Sequence, residues 1–274
     1  MAAQRSATKQ KGPALGRLPE WDLNDLYPGP DSAELKRDLA EADSSAQRFQ
    51  AAHAGKLATM SGAELGAAVR EYERIQELLG RVLSYASLRY ADDQSDPENG
   101  RFFQNMQEKA TDISTRLLFF TLELNRVGDK ALDDKLRASE LAHYRPWLRD
   151  LRAFRPYQLT DDLEKLLHEK AVAGRAAWTR LFDETNAALR FPVKGKRLTG
   201  AEALHLLSEP NGATRKATAK SIGAVYGDNA PLFALVTNTL AKDKEIEDRW
   251  RGFKRPISSR NLANYVEDDV VDAL

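Results

Sequence analysis

The chain has 274 residues, 42% of them hydrophobic and 30% charged, enough to bury a core without staples and too polar for a membrane protein or too apolar for a disordered one. Its 41 basic and 41 acidic residues cancel, so no net field draws it to nucleic acid or to an anionic lipid surface, and peptides or small molecules are the expected ligands. It has no cysteine, which removes disulfides, thiolate nucleophiles and every Cys-ligated zinc or iron-sulfur site, and fits a reducing cytoplasm.

Residues 1–18 are basic, with Arg5, Lys9, Lys11 and Arg17, but lack the apolar run of a secretory signal, and they read as a disordered basic tail. In "LPEWDLNDLYPGPDS" the residues Trp21, Leu23, Leu26 and Tyr27 are expected to pin an irregular segment to a core. Asp31, with Glu34 three residues later, predicts an N-cap for a charged amphipathic helix running to about His53. Ser61 and Glu64 predict another capping box. The helix they open carries an apolar stripe by threes and fours at Leu65, Val69, Tyr72, Ile75, Leu79, Val82 and Ala86.

"DDQSDPENG" is acidic, yet the glycine and distal glutamate of a calcium loop are not at the required offsets. Asp96 and Pro97 fit better as N-cap and first helical residue. The stripe Phe102, Met106, Ala110, Ile113, Leu117, Phe120 and Leu124 predicts a single long helix whose aromatic and Met face is core. Further helices are expected from Asp129, from Ala138 to about Arg152, from Thr160 to Val172, and from Arg175 to about Ala188 after a break at Gly174.

Within the third of these, His168 and Glu169 begin like the H-E-x-x-H zinc motif, but Val172 stands where the second histidine would be. Leu163, Leu166, Leu167 and Ala171 form the expected apolar stripe, which places His168 on the solvent side with Asp161, Glu164 and Lys165. Glu164 and His168 have the spacing of a two-ligand metal half-site; an exposed side-chain pair needs no more than the same spacing.

Leu189, Phe191 and Val193 alternate, Lys194-Gly195-Lys196 is a turn, and Arg197-Leu198 returns, which predicts a short edge hairpin near residues 189–198. Thr199 and Glu202 predict a capping box, and helices should follow from about Asn211 to Tyr226 and from Asp228, with Pro231 in its first turn, to about Arg251. Glu245/Arg249 and Glu247/Arg251 have the favourable i, i+4 order. Glu267, Asp268 and Asp269 open a last helix that stops at Leu274 without a C-terminal signal, so the expectation is a chain cut inside a helix. The predicted fold class is all-α, an array of long amphipathic helices with one hairpin.

Three stretches, "RPYQLTDDLEKLLHEKAVAGRAAWTRLFDETNAALRFPV" (155–193), "LTGAEALHLLSEPNGATRKA" (198–217) and "NTLAKDKEIEDRWRGFKRPISSRNLANYVEDDVVDAL" (238–274), resemble the N-terminal half of bacterial oligoendopeptidase F, of the thimet-oligopeptidase family of zinc metallopeptidases. The resemblance implies a mostly helical molecule with a deep channel that admits oligopeptides. In the family an H-E-x-x-H helix and a later Glu hold one zinc, and the motif Glu activates the attacking water. It also implies residues 19–190 as a helical channel wall or lid and 191–274 as the hairpin and first helices of the catalytic domain.

The resemblance transfers no catalytic or metal residue. No H-E-x-x-H is present, and the four histidines, His53, His143, His168 and His205, include no pair at ligand spacing. Zinc belongs to the full-length enzyme and none is expected on this stretch. Its expected partners are the missing catalytic half and, through it, an oligopeptide substrate, and the stretch alone should be inactive. The sequence identifies no substrate-binding residue. The competing reading is a free-standing helical module that grips peptides or a partner protein without chemistry.

Overall fold

The structure, a computed structural model, describes residues 21–274, so the tail over 1–18 lies outside the described residues. Among the described residues the fold is all-α apart from one two-stranded antiparallel hairpin, as predicted. Helix α1 (Ala33–His53), α2 (Gly62–Asp92) and α3 (Pro97–Thr115) pack together as the main body, followed by α4 (Leu118–Arg126), α5 (Asp129–Lys135) and α6 (Arg145–Ala153). Then come α7 (Asp161–Lys170), α8 (Arg175–Ala188), strands β1 (Phe191–Val193) and β2 (Lys196–Leu198), α9 (Gly200–Leu206), α10 (Gly212–Arg251), α11 (Ser258–Ala263) and α12 (Asp268–Ala273). Among the described residues no helix is long and apolar enough to cross a membrane.

Local chemistry sets most of the boundaries. Ser61 and Thr199 each accept from the amide three residues on, while Glu64 and Glu202 reach back to the cap amide, completing both predicted capping boxes. Asp96 caps α3 through the Glu98 amide, with Pro97 at its first position. Helix α1 is capped by Ser32 rather than Asp31, its side chain accepting from the Leu35 amide. Lys194 and Gly195, at φ 50° and 80°, make the tight turn that pairs Val193 with Lys196 and Phe191 with Leu198.

The core lies in the first half. Phe49, Leu65, Ile75, Leu117, Phe120 and Leu141 are among its fully buried members, and Phe49 sits edge-on to Phe120 with ring centroids 5.0 Å apart. A smaller cluster gathers Tyr27, Leu35, Val82, Tyr85, Ala86 and Met106. Tyr27 anchors the leading segment as expected, its hydroxyl donating to the buried Asp38 carboxylate at 2.9 Å under the Arg81 guanidinium. Trp21 does not join it and is 63% exposed.

Four predicted helices differ. The stripe from Phe102 to Leu124 is core, but the helix breaks at Arg116–Leu117, where amides bond three residues back. Ser114 and Thr115 both donate to the Thr111 carbonyl, and such back-bonding bends a helix. The segment from Ala138 to Arg152 divides into a single 3-10 turn (Ser139–Leu141) and α6, because Pro146 has no amide to continue a helix and instead starts one. In contrast, the two helices expected around Tyr226 and Asp228 are one, α10, running through Pro231. The proline ring crowds the carbonyl four residues back, and that residue is the exposed Gly227, which has no side chain to shield its carbonyl from water.

Candidate functional site

Helix α10 is bound to the front helices at its C-terminal end. Gly252, at φ 81°, closes α10 with its amide on the Arg249 carbonyl, while the Phe253 amide bonds the Asp248 carbonyl at 2.9 Å. This left-handed ending turns Phe253 out of the helix line. The Phe253 ring stacks on Tyr157, centroids 3.9 Å apart and nearly parallel.

Two residues earlier, Arg251 makes a bidentate pair with Glu164, at 2.7 and 2.9 Å, and also bonds Glu247 at 2.7 Å and the Tyr157 carbonyl at 3.2 Å. The Arg251 and Glu164 side chains are only 19% and 13% exposed. Burial alone would push the Glu164 carboxyl up, but Arg251 and the Leu159 amide outweigh it and hold it below the ordinary carboxylate range. Those same bonds, Glu164 first, raise the Arg251 guanidinium further.

This changes the reading of α7. Glu164 and His168 face the protein with Leu163 and Leu167, whereas Leu166 is 50% exposed and Ala171 is exposed. His168 Nε2 shares a hydrogen bond of 2.8 Å with Ser114 Oγ on α3. The partners of Glu164 and His168 lie far along the chain, and they outweigh the apolar stripe that placed both residues outward. The two groups therefore share a face, but each is engaged by a protein group.

The other histidines are scattered: His53 lies 3.3 Å from Glu71, His143 packs on Tyr144, and His205 stands on α9. Among the described residues no group of three or more His, Cys, Asp or Glu side chains could hold a metal. The pair at metal-ligand spacing, Glu164 and His168, does not fit zinc as it stands, because Arg251 and Ser114 already engage the two side chains.

Beside the Arg251 pair lies a cavity of about 700 Å3, in the size range of small-ligand sites. It is lined by Leu118 and Leu122 of α4, Leu151 of α6, and Leu240, Asp243 and Glu247 of α10. Arg175 and Arg260 stand at its margins. The C-terminal end of α4 is fixed by Arg152, which donates to the carbonyls of Leu124, Asn125 and Val127 and pairs with Asp129.

Two polar side chains beside that cavity each keep a buried oxygen without a partner among the described residues. Asn125 is 4% exposed, and its Oδ1 has no partner among the described residues. Gln158 donates from Nε2 to the Leu122 carbonyl at 3.3 Å, which leaves its buried Oε1 equally unpartnered. The i, i+4 spacing names Arg251 as the partner of Glu247, a pair the structure contains, but not as the partner of Glu164, and it singles out neither Asn125 nor Gln158. A weak signal existed for Asn125, a carboxamide directly beside the apolar positions Leu122 and Leu124.

Residues 123–191 match the family model for Oligopeptidase F. The fold is similar to that of oligoendopeptidase-F from Enterococcus faecium, with a TM-score of 0.79 at 19% identity over 87% of this chain and 48% of that one. A structure assigned as a peptidase from Chlamydophila abortus aligns with a TM-score of 0.57 at 18% identity over 92% of this chain and 43% of that one. Among curated proteins none matches the chain by sequence. The chain thus spans less than half the length of the solved structures it resembles, and the resemblance read from residues 155–193 is borne out by the family match and by the fold.

Proposed function

We propose that this chain is the N-terminal portion of a zinc metalloendopeptidase that hydrolyses peptide bonds in oligopeptides in the cytoplasm. The observation that carries the reading is the Oligopeptidase F match over 123–191 within a fold similar to oligoendopeptidase-F. In this reading residues 19–190 are the channel wall or lid, and 191–274 begin the catalytic domain. Zinc and the residues that activate water belong to a part of the enzyme outside this stretch, because Glu164 is held by Arg251 and His168 by Ser114.

The distribution of apolar surface supports it. Apart from Trp21, every large exposed hydrophobic among the described residues lies at or beyond Leu166, including Leu204, Leu235, Trp250 and Tyr265. A catalytic half packed against α7 to α12 would cover these residues. Metal analysis tests the assignment. After equilibration with zinc and gel filtration, the purified chain should retain no stoichiometric metal, and His168→Ala should change nothing. One equivalent of zinc that disappears in His168→Ala would place a metal site here and overturn it.

A further inference from the structure

We infer that Asn211 is a deamidation site, converting spontaneously to aspartate and isoaspartate at the start of α10, while Asn99, in the chain's other Asn-Gly step, is spared. In an Asn-Gly step the following residue has no Cβ to hinder the attack of its nitrogen on the Asn side chain. The Gly212 nitrogen, losing its proton to water, bonds Asn211 Cγ; the Cγ–Nδ2 bond breaks and ammonia leaves. Water then opens the cyclic imide at either carbonyl, giving aspartate or, with the main chain rerouted through the side chain, isoaspartate. Water enters and ammonia departs, and no other reactant is needed.

The fold separates the two steps. Asn99 lies in the first turn of α3 and is 6% exposed, its Nδ2 donating to the Asp93 carbonyl at 3.2 Å. The Gly100 amide is spent on the Asp96 carbonyl at 3.2 Å, and the place a Cβ would take on Gly100 is crowded by Arg180 and Glu184 of α8. Bringing this nitrogen onto the Asn99 side chain requires α3 to come away from α8. Asn211, in contrast, is exposed and precedes its helix, and Gly212 holds the first helical position, where the helix supplies its amide with no acceptor. At ψ 108° the Gly212 nitrogen points away from Asn211 Cγ, so ring closure proceeds once the first turn opens. Opening gives up the Thr214 amide's bond to Asn211 Oδ1, at 3.1 Å, and the bonds of the Thr214 and Arg215 amides to the Asn211 carbonyl. An exposed helix end opens at far lower cost than a packed turn.

The two products act differently. Aspartate keeps a capping oxygen and adds a negative charge where the helix start favours one. Isoaspartate lengthens the main chain by a methylene and removes the cap. It does so in the turn where Lys194 Nζ donates to Thr214 Oγ1 at 2.6 Å and Arg215 holds the carbonyls of Glu209 and Pro210, so it loosens the junction of the hairpin with α10.

The test is peptide mapping by mass spectrometry of the whole chain, incubated in mildly alkaline buffer both folded and in urea, with fragmentation that separates isoaspartate from aspartate. In the folded chain Asn211 should convert about tenfold faster than Asn99 or more, a ratio set by the cost of opening each turn. In urea the two should convert at similar rates. Gly212→Ala, whose added methyl would meet only the end of the Arg215 side chain at 3.7 Å, should keep the helix content by circular dichroism, slow conversion at Asn211 and leave Asn99 as it was. An Asn211 that stays intact in the folded chain, or converts no faster than Asn99, overturns the inference. So does a preference of the same size in urea, or a rate at Asn211 indifferent to Gly212→Ala.

Discussion

Arg251→Met destabilises the protein by about 3 kcal/mol at neutral pH, because it leaves the Glu164 carboxylate, only 13% exposed, without its counter-charge. The loss depends on pH in a direction that identifies its cause. In the native protein the Glu164 carboxyl is held below its ordinary value, so its contribution is present above about pH 4 and is lost as pH falls through the lowered folded value. In the variant, burial is no longer outweighed by Arg251, and the carboxyl titrates above its unfolded value. The variant then gains in acid, where Glu164 is protonated and neutral, and the gap between the two proteins narrows. Urea unfolding at about pH 7 and about pH 4 measures this. Adding Glu164→Gln to Arg251→Met should recover part of the loss at neutral pH by removing the stranded charge. A deficit of equal size at both pH values, unrelieved in the double variant, would mean that Arg251 acts by packing alone.

A second large effect is expected in the front core. Phe49 is fully buried and its ring meets Phe120 at 5.0 Å, Phe119 at 5.8 Å and His53 at 4.7 Å, so the cavity left by Phe49→Ala has rings on several sides and little freedom to collapse. The variant should lose about 3–5 kcal/mol. Leu235→Ala on α10, where the side chain is 55% exposed, should change stability by no more than about 0.5 kcal/mol. Denaturant unfolding followed by circular dichroism compares the two. Comparable losses would contradict a molecule whose stability resides in α1 to α6 and whose later helices await a covering partner.

What the sequence discloses follows from the range of the interactions involved. The caps at Ser61, Asp96 and Thr199 and the hairpin turn at Lys194-Gly195 involve residues within three or four positions, and pattern reading found them. The inward face of α7 is not legible locally, because Glu164 is neutralised by a residue 87 positions away and no local period reveals that partner. The continuity of α10 was missed because a proline usually ends a helix, whereas here the exposed Gly227 lies at the position its ring would crowd. The cavity is the least legible feature. Its walls come from residues between Leu118 and Ala263, and an unpartnered oxygen such as Asn125 Oδ1 is defined only once every neighbour is in place.

The near-miss at His168 shows the same limit from the other side. Sequence spacing alone proposes a metal half-site with Glu164, and the fold indeed puts both on one face. Their occupation by Ser114 and Arg251 is what gives them a structural role. On the proposed reading the helices are scaffold, and bond cleavage belongs to residues elsewhere in the enzyme.

The most direct measurement is hydrolysis of an internally quenched fluorescent oligopeptide, with zinc supplied, by this chain alone and by the chain joined after Leu274 to the zinc-motif half of an oligoendopeptidase F. The expected result is no cleavage by the chain alone and cleavage by the joined protein that a chelator abolishes. Chelator-sensitive cleavage by the chain alone would contradict the account.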